Sequence, residues 1–328
     1  MPVTVEIPTE KWTGSVREVT LGATADEGGT RTRTVTVGGE TSLPFLHFEG
    51  KYPHPPVIAV EIQDSYPDDW SPLLLEAWGD VTKDPAAWAK KAEEIGADLI
   101  MLKLRETDSS GAELTADQAV TAVKAVLEAT GLPLIVRGPG QVVSTEAGSG
   151  GRVVLVAVAE AASGERIALG LCEDKNYRTT VAAALAHNHL VIASTPIDVN
   201  LAKQLNILIS DMAMPLERVL MDPTTGALGY GLEYSYSVME RLRLAALQGD
   251  SMTQQPMICF VGEESWRQKE SKVGEGVPEE WGDWYKRAVT WEATTAISLL
   301  NAGADIITLR HPDNVPVVRR AIEKLMES

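Results

Sequence analysis

The chain has 328 residues, 44% of them hydrophobic and 23% charged, with a formal net charge of −17. That is enough apolar material for one large core or one barrel with additions, and acidity on this scale disfavours nucleic acid and anionic membranes as partners. No run reaches the apolar length of about eighteen residues that a membrane span needs; the opening MPVTVEIPTEKW lacks the basic head and apolar stretch of a secretory leader, so a cytoplasmic location is expected.

Residues 1–55 read as an N-terminal extension, polar and with short alternating stretches such as RTRTVTVGG that predict a hairpin. From Pro56 the rhythm changes. Short apolar runs recur at Val57–Asp64, Asp98–Glu106, Pro133–Gly138, Arg166–Asp174, His189–Pro196, Arg218–Pro223, Met257–Glu264 and Ala304–Pro312. Each is nearly continuous in apolar residues, as in strands buried on both faces of a parallel sheet. Helical patterns alternate with them. DPAAWAKKAEEIGA has Pro85 in its first turn and Gly96 at its end. TADQAVTAVKAVLEATG starts on Thr115 as N-cap and closes on Gly131. Further helices are predicted in NYRTTVAAALAHN, DVNLAKQLNILISDM, EYSYSVMERLRLAALQG, WYKRAVTWEATTAISLLNAG and PVVRRAIEKLMES. Eight strand–helix units over about 270 residues predict an α/β chain with a TIM (β/α)8 barrel at 56–328. An open doubly wound sheet would want a G-x-G-x-x-G turn, and the chain has none.

Cys172 and Cys259 lie inside apolar runs, as buried reduced thiols do. Two cysteines cannot supply the usual four thiolates of an iron-sulfur cluster, and no C-x-x-C or helical histidine pair is present. A metal site within this chain is therefore not expected.

In a TIM barrel the functional mouth lies at the C-terminal ends of the strands. Those ends offer Gln63, Asp64, Lys103, Arg105, Arg137, Glu173, Asp174, Ser194, Thr195, Asp222, Glu263, Glu264, Arg310 and His311. The densest segment is MDPTTGALGYGLEYSYSVMER, Met221–Arg241. Asp222 leaves strand six, Pro223 stops it, and Gly226, Gly229 and Gly231 permit turns closed to other residues before a helix begins near Glu233. Two readings stay open: free N–H groups that meet an anion or a polar cofactor edge, or a tight loop packed by Tyr230, Tyr234 and Tyr236. Within the helix, Val238, Leu242 and Ala245 share a core face. Asp198 is the N-cap of the preceding helix, and its Asn200, Lys203 and Asn206 either face the mouth or decorate the surface. His311 either holds a loop or touches a ligand. Trp70, Trp78, Trp266, Trp281 and Trp284 fall between barrel elements, where tryptophan either pins insertions or anchors a partner.

The stretches DPTTGALGYGLEYSYSVMERLRLAALQGD, STPIDVNLAKQLNILI and VTLGATADEGGTRTRTVTVGGETSLPFLHFEG, with the ending RHP, carry a resemblance that runs from Val19 to the C-terminus. They resemble the small subunit of corrinoid/iron-sulfur proteins, equivalent to the delta subunit of the archaeal acetyl-CoA decarbonylase/synthase complex. The resemblance implies a TIM barrel in a heterodimer with a large subunit. That large subunit would carry a 4Fe-4S cluster and a mobile corrinoid domain, with the corrinoid (a cobamide) shared between that domain and the barrel. It implies methyl passage from methyltetrahydrofolate, through a methyltetrahydrofolate:corrinoid methyltransferase, to acetyl-CoA synthase/CO dehydrogenase. This is the reductive acetyl-CoA (Wood-Ljungdahl) pathway of anaerobic carbon dioxide fixation.

On that reading the chain is a non-catalytic subunit and the chemistry belongs to cobalt. The chain lacks the D-x-H-x-x-G box of cobalamin-binding Rossmann domains, which fits a corrinoid anchored mainly elsewhere. Asp222, Thr224, Thr225, Tyr230, Arg310 and His311 are the residues expected nearest the corrinoid, for contact and orientation. One departure falls between Gly138 and Glu160, at 139–159, where the family has a short acidic connection and this chain reads QVVSTEAGSGGRVVLV. The rival reading is a pterin-binding methyltransferase barrel using Asp64, Asp222 and Asn200, although KLRETDSSG stands where a D-I-G-G motif would follow strand two. A third is an assembly platform with no cofactor contact.

Overall fold

A computed structural model describes residues 7–107, 112–139 and 150–327; residues 140–149 of the departure at 139–159 lie outside them. Among the described residues there are ten strands: β1 (Val19–Leu21), β2 (Val35–Val37), β3 (Val57–Gln63), β4 (Leu99–Lys103), β5 (Leu134–Arg137), β6 (Ala168–Cys172), β7 (Leu190–Ser194), β8 (Val219–Asp222), β9 (Met257–Cys259) and β10 (Ala304–Leu309). The last eight close into a parallel barrel in the order β10-β3-β4-β5-β6-β7-β8-β9, while β1 and β2 form an antiparallel hairpin. The helices are α1 (Pro72–Trp78), α2 (Pro85–Glu94), α3 (Ala116–Ala129), α4 (Gly150–Ala161), α5 (Tyr177–Ala186), α6 (Val199–Asp211), α7 (Leu232–Leu247), α8 (Val261–Arg267), α9 (Lys269–Lys272), α10 (Trp284–Asn301) and α11 (Asn314–Met326). This is the predicted TIM barrel with its N-terminal extension. The short helices α1, α8 and α9 are additions to the repeat.

Local chemistry sets the helix starts. Asp84 accepts the Ala86 N–H (3.0 Å) ahead of Pro85. Thr115 and Gln118 form a reciprocal capping box. Asp198 accepts the N–H groups of Asn200 and Leu201. Each satisfies donors that a helix start leaves free. Along the strands, alternation divides the core in two. Val57 and Ala59 of β3 face the axis with Leu99 and Met101 of β4, while Ile58, Val60 and Ile62 face the helices. Trp88 lies wholly buried in the outer layer, with Trp70 and Trp78 edge-on to it at 5.2 and 5.7 Å. These two tryptophans therefore pin α1 onto the barrel. Trp284 donates to Ser271 O (2.8 Å), and Lys269 and Arg287 lie over the Trp281 ring.

The extension closes the base of the barrel. Val19, Leu21, Val35 and Val37 join the axial core. Backbone bonds run from Gly14 to Leu247 (2.8 Å), Arg17 to Gln254 (2.7 Å) and Gly22 to Arg166 (3.0 Å). Two buried arginines bind the extension further. Arg31 pairs with Glu165 (2.9 Å) and donates to Thr130 O (2.6 Å). Arg243 of α7 sits between Asp305 (2.8 Å) and Glu40 of the extension (3.4 Å). Burial and the neighbouring Asp305 charge push the Glu40 carboxyl well above the usual range.

The structure departs from expectation in three places. The seventh predicted strand, Met257–Glu264, ends at Cys259, because helix α8 starts at Val261 and carries Glu263 and Glu264. The core face of α7 is completed by Ala246, with Ala245 only half-buried. Tyr230, Tyr234 and Tyr236 do not pack their loop; all three are exposed.

Candidate functional site

Toward the mouth, the inward positions of the strands turn from apolar to charged. Glu61 of β3 is wholly buried and pairs with Arg310, just past β10, through Arg310 Nη2 at 2.5 Å. Burial alone would raise the Glu61 carboxyl. The charges of Arg310, Lys103 and Arg137 outweigh it and hold the carboxyl below its ordinary value. Lys103 of β4 reaches across to Glu263 (Nζ–Oε1 3.0 Å), and Arg137 of β5 closes on the other oxygen of the same carboxylate. The Arg137 guanidinium lies over the Phe260 ring at 4.7 Å. Burial lowers the Lys103 amine to about 8, against the pull of Glu61. These five side chains form an ion-paired plug across the barrel axis.

Glu263 reaches the plug because α8 runs close against the end of β10. A side chain at Gly262 would place its Cβ 2.7 Å from Arg310 N, so only glycine permits this approach. Beneath the same turn, Glu292 of α10 accepts the Arg310 N–H (2.7 Å), the His311 N–H (3.2 Å) and Asn314 Nδ2 (2.6 Å). Burial pushes its carboxyl up to about 7.

Cavities open beside the plug. One, of about 510 Å³, lies over β3 and β4 and is lined by Gln63, Tyr66, Asp69, Lys103 and Arg105 among others. Arg105 is held there by Asp64 (3.1 Å). A second, of about 400 Å³, lies over β6 and β7 between Glu173, Ser194, Thr195, Leu205 and Leu208.

The structure brings Asp222, Thr224 and Thr225 together at the end of β8. Asp222 is buried and accepts the Thr224 N–H (2.9 Å), and burial raises its carboxyl to about 6. Thr224 takes a left-handed conformation (φ 65°), and its hydroxyl donates to Thr195 O. Thr225 is buried beside them, and Arg310 stands in the plug. Tyr230 lies out on the rim, 89% exposed, just before Gly231 (φ 144°) opens α7.

His311 does not join this set. Alternation along β10 sends Arg310 to the axis and His311 to the opposite face, where it is wholly buried. Its ring stacks on Trp266 (5.8 Å) and meets Tyr285 edge-on (5.6 Å), and Nδ1 accepts the Asp313 N–H (3.2 Å). Burial lowers its pKa, so it is neutral at physiological pH. Lys203 pairs with Asp250 (2.5 Å) and Asn206 donates to Met252 O (2.8 Å), which ties α6 to the segment before β9 rather than to the mouth.

Two features went unread in the sequence. Glu292 interrupts the buried stripe Ala288, Ala296 and Leu299, and a carboxylate at that spacing is the signal that could have found it. Glu61 is the other, the single charge inside the apolar run VIAVEIQ, whereas its plug partners Lys103, Arg137, Glu263 and Arg310 are among the strand ends read from the sequence.

Comparison with known proteins gives a consistent picture. The family described as CO dehydrogenase/acetyl-CoA synthase delta subunit matches residues 18–320. The chain is 37% identical to the acetyl-CoA decarbonylase/synthase complex subunit delta of Archaeoglobus fulgidus, over 96% of this chain and 70% of that one. It is 38% identical to the corresponding subunit of Methanopyrus kandleri, over 96% and 76%. Among solved structures it resembles a dihydropteroate synthase from Xanthomonas albilineans with 4-aminobenzoic acid (TM-score 0.55, 15% identity, 84% of this chain and 94% of that one). A dihydropteroate synthase from Coxiella burnetii in complex with pteroic acid is similar to the same degree (TM-score 0.55, 14% identity, 87% and 97%). At such identities the likeness is one of fold alone.

Proposed function

This chain belongs to the CO dehydrogenase/acetyl-CoA synthase delta subunit family, and from that premise we propose that its barrel mouth covers a corrinoid held on a partner subunit. The observation that carries this reading is the shape of the mouth. The axis is filled by the ion-paired Glu61, Arg310, Lys103, Arg137 and Glu263, while large apolar side chains stand exposed around it, Tyr66 and Tyr230 on loops and Leu201 and Tyr234 in the first turns of α6 and α7. Such a surface suits a broad flat group pressed against it better than a small substrate drawn into the axis.

The residues present fit a corrinoid. Phenol rings offer an apolar face with a polar tip, and Thr224 and Thr225 add hydroxyls beside Asp222. Tyr230, Thr224, Thr225 and Asp222 would hold the periphery. Arg310 would act from within the plug, and His311 from behind, by fixing the β10 turn. Bound there, the corrinoid would supply methyl-transfer chemistry at its cobalt. Cys172 and Cys259 are both buried with thiols pushed up by burial, so a 4Fe-4S cluster belongs on the large subunit. The partners in this reading are that large subunit, a methyltetrahydrofolate:corrinoid methyltransferase and acetyl-CoA synthase/CO dehydrogenase, acting together in the cytoplasm.

The rival reading, a pterin-binding methyltransferase, draws on the cavity beside β3 and β4, where Gln63 and Arg105 offer polar contacts. Anaerobic co-expression with a candidate large subunit separates the two. A one-to-one complex with corrinoid absorption, absent from this chain alone, supports the cover. A colourless monomer that ignores the large subunit and binds methyltetrahydrofolate overturns it.

A further inference from the structure

We propose that Lys103 is a reactive amine that condenses with a small uncharged aldehyde entering the cavity over β3 and β4, forming an iminium at Nζ. The inference stands apart from the corrinoid reading, because it concerns one amine and its cavity and is tested on the full chain alone.

Position comes first. Among the described lysines, Lys103 alone ends a barrel strand. Its side chain keeps 28% of its surface exposed and lines the 510 Å³ cavity with Gln63, Ser65, Tyr66 and Arg105. A space of that size admits a small molecule beside the amine. Lys90 of α2 and Lys324 of α11, by contrast, stand exposed on helix surfaces.

Nucleophilicity comes second. A lysine attacks a carbonyl only as the free amine, and desolvation is a common way to favour that form. Burial lowers the Lys103 amine to about 8; the Arg310 and Arg137 charges add to the fall, and Glu61 and Asp69 oppose it. At neutral pH this leaves on the order of a hundredfold more free amine than an ordinary lysine has. A proton acceptor is also in place, because the ammonium donates to Glu263 Oε1 at 3.0 Å. Arg137 holds the other oxygen of that carboxylate.

Charge decides the electrophile. Glu61, Asp69 and Glu263 all face this amine. An amide or a carbamate would cancel its charge and leave those carboxylates without it, whereas an iminium keeps it. In the step, Glu263 takes one ammonium proton and the freed lone pair attacks the carbonyl carbon. The C=O π pair moves to oxygen. That oxygen collects two protons, one returned by Glu263 and one from the nitrogen, and leaves as water. The nitrogen closes the C=N bond and keeps its last proton. Ammonium and aldehyde thus give iminium and water, with no oxidant, no reductant and no change in charge. On the rim, Asp68 and Asp69 stand exposed over the same cavity and disfavour an anionic aldehyde.

The test is brief treatment of the full chain with limiting propionaldehyde and sodium cyanoborohydride, which traps the imine as a secondary amine, followed by peptide mapping with mass spectrometry. At neutral pH, Lys103 should be alkylated at least tenfold faster than Lys90 or Lys324. That advantage should shrink as pH rises from about 7 to about 10, where ordinary lysines also lose their proton. Glyoxylate, an anionic aldehyde, should show a smaller preference for Lys103 than propionaldehyde does. Ser65→Trp, which fills the cavity from its wall, should slow Lys103 at least tenfold and leave Lys90 and Lys324 unchanged; Ser65→Leu serves if the tryptophan variant fails to fold. Alkylation of Lys103 no faster than that of Lys90 in the folded chain overturns the proposal, because the ion pair with Glu263 then keeps the amine closed. Equal alkylation of Lys103 in wild type and a folded Ser65 variant also overturns it, because the aldehyde then does not arrive through the cavity.

Discussion

Glu61 and Arg310 meet inside the barrel at 2.5 Å, one wholly buried and the other nearly so. Each is the other's principal counter-charge, so neither can be removed alone without stranding a charge in a low dielectric. Glu61→Ala should lower the unfolding free energy by about 3–5 kcal/mol, and the double variant Glu61→Leu/Arg310→Met should recover most of the loss. Denaturant melts of the two variants check this; equal losses would mean that the pair is not coupled.

The mouth should make stability fall as pH rises. Asp222 and Glu292 are buried acids whose carboxyls are raised from 3.8 to about 6 and from 4.5 to about 7. Both folded values lie above the unfolded ones, so the folded state binds the extra protons. Their contribution is complete below the unfolded values and is lost as pH climbs through 6 and then 7. The difference in stability between wild type and Glu292→Gln should therefore change by on the order of 3 kcal/mol between about pH 4 and pH 8, with the amide variant gaining at the alkaline end. A difference independent of pH would show that Glu292 titrates as an ordinary carboxylate.

At the base, the two ends of one cluster should behave unequally. Arg243→Met removes the cation between Glu40 and Asp305. It should destabilise by about 3–5 kcal/mol and expose the extension to proteolysis. Glu40→Gln replaces a carboxyl that burial already favours in its neutral form, and should change stability by under about 1 kcal/mol. Limited proteolysis with thermal melts distinguishes these outcomes.

Tyr230 and Tyr234 are 89% and 55% exposed, so the fold gains little from either ring. The double alanine variant should melt with the wild type. It should bind a corrinoid-loaded large subunit at least tenfold more weakly, about 1.4 kcal/mol or more. Undiminished binding would remove the tyrosine rim from the proposed cover.

The architecture was legible because it rests on local rules. Continuous apolar runs mark strands that are covered on both faces, and Pro85, Thr115 and Asp198 mark helix starts by chemistry that needs no tertiary partner. The mouth was legible only in part. Asp222, Thr224 and Thr225 are neighbours in the chain, so their grouping follows from the turn that contains them. Arg310 and His311 are also neighbours, but a single step along a strand reverses the direction of a side chain. Adjacency therefore misleads there. The plug joins residues of β3, β4, β5, α8 and the end of β10, and its assembly depends on how closely α8 approaches Arg310 at Gly262. No periodicity in the sequence encodes that distance.

The hairpin at the base also bears on the order of events during synthesis. The extension is made first, yet the groups that hold it come late: Arg243, Leu247, Gln254 and Asp305, with His47 reaching Leu325 O (2.9 Å) only at the end of α11. On the ribosome, Gly22 and Arg31 meet Arg166 and Glu165 near mid-chain, whereas Gly14, Arg17, Glu40 and His47 wait for Leu247, Gln254, Arg243 and Leu325. Contacts so distant in sequence fold slowly, which makes seating of this N-terminal plug a late step that locks the completed barrel. Until then the base of the axial core stays open, and the nascent chain is most exposed to aggregation during that interval.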